Sequence, residues 1–570
     1  MTARAEPGED PRAFRTLTSH FLHALFDFGI LSEAAADSFK RLLVSSIGAF
    51  VATGLFLTRI YAGRYEALRG GASPEPYRRA VLGDDLLLIG LPMLLVAFVT
   101  LLISDSLFPD ERDFRILGPL PVRRTTVFAA KLAALLIFTA SFIVIVHLAL
   151  VPLKLLTSFS RWSPHSVVWR LITWIIAGGA ASTFAVLAIA ALVGTLVLVL
   201  SRSRLQSLTA IMRSAAFAVL VVSVPFVFRL PTLGAAVANG STWLTFVPPV
   251  WFLGLERTLV GDANPWFARL ATIAVAVAAV AVGSVAIAYA VLFRHFERLI
   301  LRATKAPRGF RTEGARARVR LPPPFRAVYQ FTAATLRRSQ LHQGVLVGIS
   351  ACGAGLAINR LAGVNAGWLL AGGAAHAALT GAALWMPFVL MCACGVALRA
   401  ALALPMEYRA NWIFRLTEAD ATRLDQLCGV ERLVAIYVVG VPVAISSPLL
   451  WLALGSNAAI AVPVVVLIGF VFVHAVLLHW RRIPFTCSYL PGKRFLAHTL
   501  VLATIAYSLF TIIAVALVRT AMSDARRAVI IIAALAIVAA VLRRRRRAVW
   551  TVTPLMFEDE LPEYPLQLQL

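Results

Sequence analysis

Leu86–Ile103 reads LLLIGLPMLLVAFVTLLI and carries no charge. As an α-helix it is roughly 27 Å long at 1.5 Å per residue, close to the hydrocarbon thickness of a bilayer. Runs of the same kind lie at Leu42–Thr58, Leu132–Leu153, Leu171–Leu200, Leu208–Phe228 and Leu270–Phe293. Beyond a long polar break they recur at Ser339–Asn359, Ala374–Leu398, Leu433–Leu454, Asn457–Trp480, Phe495–Val518 and Ala528–Leu542. Composition agrees: 59% of the 570 residues are apolar and 14% charged, against about 45–50% and about 25% in soluble domains. That apolar mass exceeds what a soluble globule can bury, which excludes disorder and argues against a soluble enzyme. The expected fold is all-α, a polytopic membrane protein with about 12 transmembrane helices in two parallel six-helix halves.

Lys and Arg number 54 against 28 Asp and Glu, a formal charge of +26. Such an excess either binds nucleic acid or orients membrane helices. The cations sit mostly between apolar runs, so orientation is the reading and no nucleic-acid partner is expected. With the N-terminus inside, the cytoplasmic segments hold 39 of the 54 Lys and Arg and the outer segments 15. Both termini are therefore expected in the cytoplasm, in a bacterial inner (plasma) membrane. One loop resists: Tyr61–Val81, with Arg59, puts five Arg outside. Leu361–Leu398, 38 residues without a charge, would be roughly 57 Å as one helix. It reads as a partly re-entrant or outer stretch followed by one span; two spans would invert everything after it.

The expected organisation is residues 1–293 as a first six-helix half with an N-terminal amphipathic helix, and 294–324 as a basic cytoplasmic linker. Residues 325–547 form the second half and 548–570 an acidic cytoplasmic tail. The linker holds Pro307, Gly309, Gly314 and Pro322-Pro323-Pro324. Each half opens with Phe-Arg and an amphipathic segment, from Phe14 to Phe28 and from Phe325 to Gln340. In each, a charged loop with Pro follows the second span, Asp105–Lys131 and Pro405–Arg432. An even number of spans per half gives both the same orientation, a repeat that rests on layout more than on residue identity. Met1–Arg12 has no apolar core, so no cleavable signal peptide is expected. The five Cys are odd in number and lack metal-ligand spacing, so they read as small buried hydrophobes.

Catalytic signatures are missing. The one Gly-Lys pair, Gly492-Lys493, is not in a G-x-x-x-x-G-K-[ST] context, so ATP cannot be held by that device. Neither H-E-x-x-H nor G-x-S-x-G occurs. The chain is not expected to be an enzyme, nor to hold a cofactor or metal of its own. Carboxylates are nearly absent from the spans, and Asp84-Asp85 reads as an acidic pair favoured at a helix N-terminus. His147, His376, His474 and His498 are scattered and read as packing residues. The turn Arg481–Lys493 reads either as a surface anchor or as a partner contact. The five Arg at 543–547 read as a topology signal touching anionic lipid.

The most informative loop is Asp105–Lys131, DSLFPDERDFRILGPLPVRRTTVFAAK. Acids come first, then a Pro-broken turn, then an Arg pair before a new helix at Thr125. Phe114, Ile116 and Leu117 stand beside those charges, a surface that a soluble partner can grip. Leu117-Gly-Pro-Leu-Pro-Val-Arg-Arg, with Lys131 on the third span, resembles the cytoplasmic loop of type-2 ABC exporter permeases. Val247-Pro248-Pro249-Val250-Trp251-Phe252, followed by Gly261, is similar to their outer motif before the sixth span, with Pro248, Pro249 and Trp251 as its marks. The segment at Phe14 resembles their elbow helix. The resemblance covers roughly residues 14–300.

That resemblance implies the permease subunit of an ATP-driven exporter, energised by a separate ABC-type ATPase in two copies, with ATP bound on the partner. It implies docking through coupling loop 1 by Asp110, Glu111, Asp113, Phe114, Arg115, Leu117, Pro119, Pro121, Arg123 and Arg124. The second-half loop keeps the position but lacks the second Pro and the Arg pair, and its half lacks the outer motif. By layout, coupling loop 2 offers Pro405, Glu407, Arg409, Trp412, Arg415 and Glu418, with Thr417 able to cap the helix at Asp420. The implied mechanism rocks one half against the other as the ATPases close, with membrane lipid the surrounding partner. The alternative is a secondary transporter not coupled to ATP, which needs intramembrane ionisable groups or broken helices. A membrane enzyme acting on lipid or polyprenyl substrates would need a cluster of acids or His, and only the acids near Asp110 offer one. Uniformly apolar spans fit a lipid-like cargo and lipid-facing helices equally, and name no substrate.

Overall fold

A computed structural model describes residues 11–26, 33–104, 107, 122–160, 162, 165–199, 202–301, 322–362, 374–404, 414, 416–478, 480, 482–486 and 496–555. Among these residues every regular element is a helix. The chain divides into two compact units, residues 1–213 with 223–310, and residues 214–222 with 311–570.

The first unit begins with α1 (Pro11–Phe26), α2 (Glu33–Gly70), α3 (Pro74–Leu102), α4 (Arg124–Ser158) and α5 (Val167–Val199). It continues through the two ends of α6 (Arg202–Val227), whose residues 214–222 fall in the second unit, a short α7 (Gly234–Ala238), α8 (Pro248–Val260) and α9 (Pro265–Leu301). α1 is amphipathic. Leu17 and Phe21, four residues apart on one face, bury against Ala130 and Ala134 at the start of α4. Lys131 Nζ stands 5.5 Å from the Phe21 ring, a cation–π contact. The main core joins Leu86, Leu88 and Ile89 of α3 to Leu153, Trp174, Phe252 and Leu270 from four other helices.

The expected loop at Tyr61–Val81 is instead helix on both sides. α2 runs to Gly70 and α3 starts at Pro74, where proline's missing N–H costs nothing. Tyr65 and Tyr77 turn inward and meet edge to face at 6.2 Å. Asp84 and Asp85 are therefore well inside α3 rather than at its start.

After α6 the chain bends by 63° between Met212–Val227 and Leu230–Ala238, a broken span or re-entrant turn. Two glycines seat this turn on α3. A Cβ on Gly83 would lie 2.2 Å from Pro231 O, and one on Gly234 would lie 2.0 Å from Arg79 O. Both obstacles are backbone, so neither can swing away. Gly83→Ala is expected to destabilise the fold by about 1–3 kcal/mol through this overpacking. Thermal unfolding in detergent checks it, and an unchanged midpoint would contradict the close approach.

The second unit holds α10 (Pro323–Arg338), α11 (Gln340–Ala362), α12 (Ala374–Ala403) and α13 (Asp420–Ala435). α13 passes through a π turn, Ile436–Gly440, into α14 (Val441–Leu454). α15 (Ala458–Val476), α16 (Leu496–Ser523) and α17 (Ala525–Val552) follow. Its core gathers Phe388, Met391, Val464, Val465, Ile468 and Val518. α10 packs on α13 as α1 packs on α4, so in each unit the amphipathic helix rests on the helix after the polar loop.

Among the described residues nine helices are long and apolar enough to cross a membrane, ten if the bent pair is one span. Thr422–Val476 enters that count as a single 55-residue stretch. It is broken at Gly455, whose φ of +57° ends α14 and lets α15 pack back on it. The run Leu42–Thr58 lies on α2, which is not among the nine. One helix, α12, covers the expected Ala374–Leu398, while residues 363–373 lie outside the described ones. α9 continues eight residues past Phe293, into the expected linker. α17 extends the short last run at both ends and carries all five Arg of 543–547.

Three smaller expectations are corrected. Thr417 does not cap α13: its hydroxyl donates to Phe414 O at 3.3 Å, and Thr422 Oγ1 accepts from the N–H of the N-cap Ala419 at 3.1 Å. Of the turn after α15 residues 482–486 are described; there Ile483, Phe485 and Thr486 are buried and Phe485 N–H donates to Leu402 O, so this part packs into the core, while residues 487–493 lie outside the described ones. Cys392 and Cys394 are buried as expected, but Cys352 is exposed.

Candidate functional site

The expected docking residues lie mostly outside the described chain. Asp110, Glu111, Asp113, Phe114, Arg115, Leu117, Pro119 and Pro121 of the first loop do so, as do Pro405, Glu407, Arg409, Trp412 and Arg415 of the second. Arg123 is described. It is exposed, has extended backbone, and is the N-cap of α4, with its carbonyl accepting from Val127 N–H at 3.2 Å. Arg124 opens the helix. Glu418 is engaged within its own unit: Oε1 accepts from Arg423 Nε at 3.0 Å and from Leu555 N–H at 2.8 Å.

The opposite end of α4 holds what the sequence reading missed. Lys154 Nζ donates to Asp85 Oδ1 at 2.7 Å and to Glu256 Oε1 at 2.6 Å. Arg257 donates to the other Asp85 oxygen, Oδ2. Asp84 accepts from Tyr65 Oη at 2.6 Å and pairs with Arg64 at 3.3 Å. Arg170 donates to Tyr77 Oη and to the carbonyls of Thr157 and Ser158. Asp84, Asp85 and Lys154 are fully buried and Glu256 is 1% exposed. Three carboxylates thus lie among four cations, contributed by α2, α3, α4, α5 and α8 of the first unit. Buried charges persist only when matched in this way. Burial, with Asp85 beside it, pushes the Glu256 carboxyl up from its ordinary value; among the described residues its Oε2 has no hydrogen-bond partner.

The same region accounts for four of the five arginines that resisted the orientation count. Arg64 is paired with Asp84, Arg69 donates to Leu156 O at 2.5 Å, Arg78 meets Asp262 at 3.6 Å and Arg79 meets Glu75 at 3.6 Å. They serve helix contacts within the unit.

The outer motif is a helix start. Pro248 and Pro249 occupy the first two positions of α8, where proline fits. Trp251 Nε1 donates to Thr245 O at 2.7 Å, tying α8 to the preceding turn. At the other end Gly261 takes φ +98°, and the N–H groups of Gly261 and Asp262 cap the carbonyls of Thr258 and Arg257. The motif thereby frames the helix that presents Glu256 to Lys154 and Arg257 to Asp85.

Residues 47–198 match the family model described as ABC-2 family transporter protein. The match supports the type-2 ABC permease family and, with the apolar helices, a membrane-embedded transport protein. The ABC-2 segment runs from α2 to the end of α5, so it includes the first loop, Arg123, Arg124 and four of the network's five helices. α8 and the outer motif lie beyond it. No curated protein and no solved structure matches the chain.

The second unit carries its own buried ionic cluster. Arg546, fully buried within the five-Arg run, lies 2.5 Å from Glu431 Oε2 and 4.4 Å from the Trp550 ring. It donates to His474 Nδ1 at 3.0 Å, so that nitrogen is the acceptor and the ring proton sits on Nε2. The run is therefore not uniformly a surface signal: Arg543, Arg544, Arg545 and Arg547 are exposed while Arg546 is core. His147, by contrast, is a packing residue, bonded to Ile143 O and set against Trp174.

Proposed function

We propose that this chain is the permease of an ABC-type exporter, with two six-helix halves fused and both termini in the cytoplasm of a bacterial inner membrane. A separate ATPase, in two copies, docks on the two loops and holds the ATP. The observation that carries this reading is the ABC-2 match across residues 47–198, which contains the first loop and its Arg pair. Within the first unit the proposed path of force runs along α4. A push on the loop meets α4 at Arg123 and Arg124, where α1 braces the helix. Thirty residues later, about 45 Å along a rigid helix, Lys154 sits in the ionic network that ties α4 to α3 and α8. Motion of α4 would therefore be delivered to the end remote from the ATPase.

A mild-detergent pull-down of the tagged full chain from its own cells tests this, run beside an Arg123→Glu/Arg124→Glu variant. The expected result is an ATPase with a Walker A motif that co-purifies with wild type and is lost, by tenfold or more, from the variant. Retention by the variant would move the docking site elsewhere. No ATPase with either, from well-folded protein, would overturn the exporter reading. One observation favours the secondary transporter as a second reading: Asp84, Asp85 and Lys154 are buried ionisable groups on span helices. Transport that survives ATP depletion and stops with an uncoupler would select it.

A further inference from the structure

The helix that follows the second loop is not a straight strut. α13 reaches only to Ala435 before the π turn Ile436–Gly440. α14 then carries Pro442 in its first turn and Pro448 in its interior. π turns and internal prolines are the places where helices bend. A push that enters at Asp420 is therefore taken up part-way along this path.

α17 has none of these breaks. Its 28 residues contain neither Pro nor Gly, and as a helix it is about 42 Å long. Its last turn is tied to the start of α13. Glu418, at the end of the second loop, accepts from Leu555 N–H, just beyond α17, at 2.8 Å. Arg423 donates from Nη1 to Thr551 O at 3.0 Å and from Nε to Glu418 Oε1 at 3.0 Å. Further along α13, Glu431 pairs with Arg546 of α17. Trp550 and Leu555 are buried in the same core as Leu427 and Val430 of α13. Such ties keep their geometry, because breaking one leaves a buried polar group unpaired.

We infer that α17 is the output lever of the second unit, with Glu418 and Arg423 as positioning residues that pass movement of the second loop into it. The inference rests on the proposed docking of an ATPase on that loop. It gives Glu418 a task other than docking: it holds the loop's end to the lever.

The test uses the full chain, freed of native Cys and co-purified with its ATPase, in lipid nanodiscs. Spin labels are placed on Arg360→Cys with Arg526→Cys, or on Arg360→Cys with Leu452→Cys. All three positions are exposed, near the ends of α11, α17 and α14 remote from the second loop. Distances are read by electron paramagnetic resonance before and after a non-hydrolysable ATP analogue. In wild type the 360–526 distance is expected to shift by about 2 Å or more, the scale of helix displacements in switching proteins, and the 360–452 distance by less than half as much. Glu418→Ala/Arg423→Leu removes both ties without stranding a charge, and should keep the ATPase but lose the 360–526 shift. Glu418→Gln keeps an acceptor for Leu555 N–H and should retain most of that shift. Equal or larger movement at Leu452 in wild type would overturn the inference while leaving docking intact, as would a full 360–526 shift in the double variant. Loss of the ATPase from the double variant would place Glu418 or Arg423 in the docking surface and overturn their positioning role. An ATPase absent from wild type would overturn the exporter reading and this inference with it. Where size exclusion shows the double variant misfolded, the wild-type comparison of α17 with α14 decides.

Discussion

Lys154→Met is expected to cost the first unit about 3–5 kcal/mol, the range for removing one partner of a buried ion pair. Lys154 is fully buried and donates hydrogen bonds to both Asp85 and Glu256. Met preserves its length and packing, so the loss isolates the charge. Asp85 would keep Arg257, but Glu256 would be left as a buried carboxylate without its cation. Adding Glu256→Gln to Lys154→Met should therefore recover part of the loss, because the amide removes the unmatched charge. Glu256→Gln alone should be mild, since burial already disfavours the charged carboxyl and Lys154 retains Asp85. Thermal midpoints of the four proteins in one detergent measure the coupling directly. An unchanged midpoint for Lys154→Met would mean that the network is not matched as described.

Arg546→Leu should destabilise the second unit on a similar scale, about 3 kcal/mol or more, because it strands Glu431 and removes the cation from Trp550 and His474. Arg545→Leu, one residue away and exposed, should stay within about 0.5 kcal/mol. Arg546→Lys should fall between them: it keeps a charge but loses the planar group that stacks on the indole while pairing with a carboxylate. Equal effects at positions 545 and 546 would contradict the inward turn of Arg546. The contrast matters because a run of five like residues looks uniform until a neighbouring helix selects one of them.

The spans were legible for the same reason that the clusters were not. Eighteen uncharged residues such as Leu86–Ile103 announce a span alone, since transfer from water to lipid is counted residue by residue along one segment. The first loop could be singled out as well, because its Pro breaks and Arg pair lie within a few residues of one another. Lys154 directly follows the run Leu132–Leu153, and nothing beside it in the sequence marks it. Its partners Asp85 and Glu256 are 69 and 102 residues away, and no local pattern joins such positions. Signals existed in retrospect: an acid pair beside an apolar run, a lysine ending the next one, and Glu256-Arg257 within one helical turn or so of the Pro-Pro-Trp motif.

The glycines divide in the same way. Gly455 and Gly261 could be read as chain breaks, being small residues at the ends of apolar or helical runs. Gly83 could not, because its role depends on the carbonyl of Pro231, nearly 150 positions on. Helix content, membrane embedding and the position of the first loop thus follow from composition and short-range order, where each residue's preference acts on itself and its near neighbours. Which arginine of five is buried, which acids are matched, and where a turn can seat on a helix depend on atoms brought together from distant segments. Low dielectric and close packing make those few meetings worth several kcal/mol each, and they exist only once the helices have assembled.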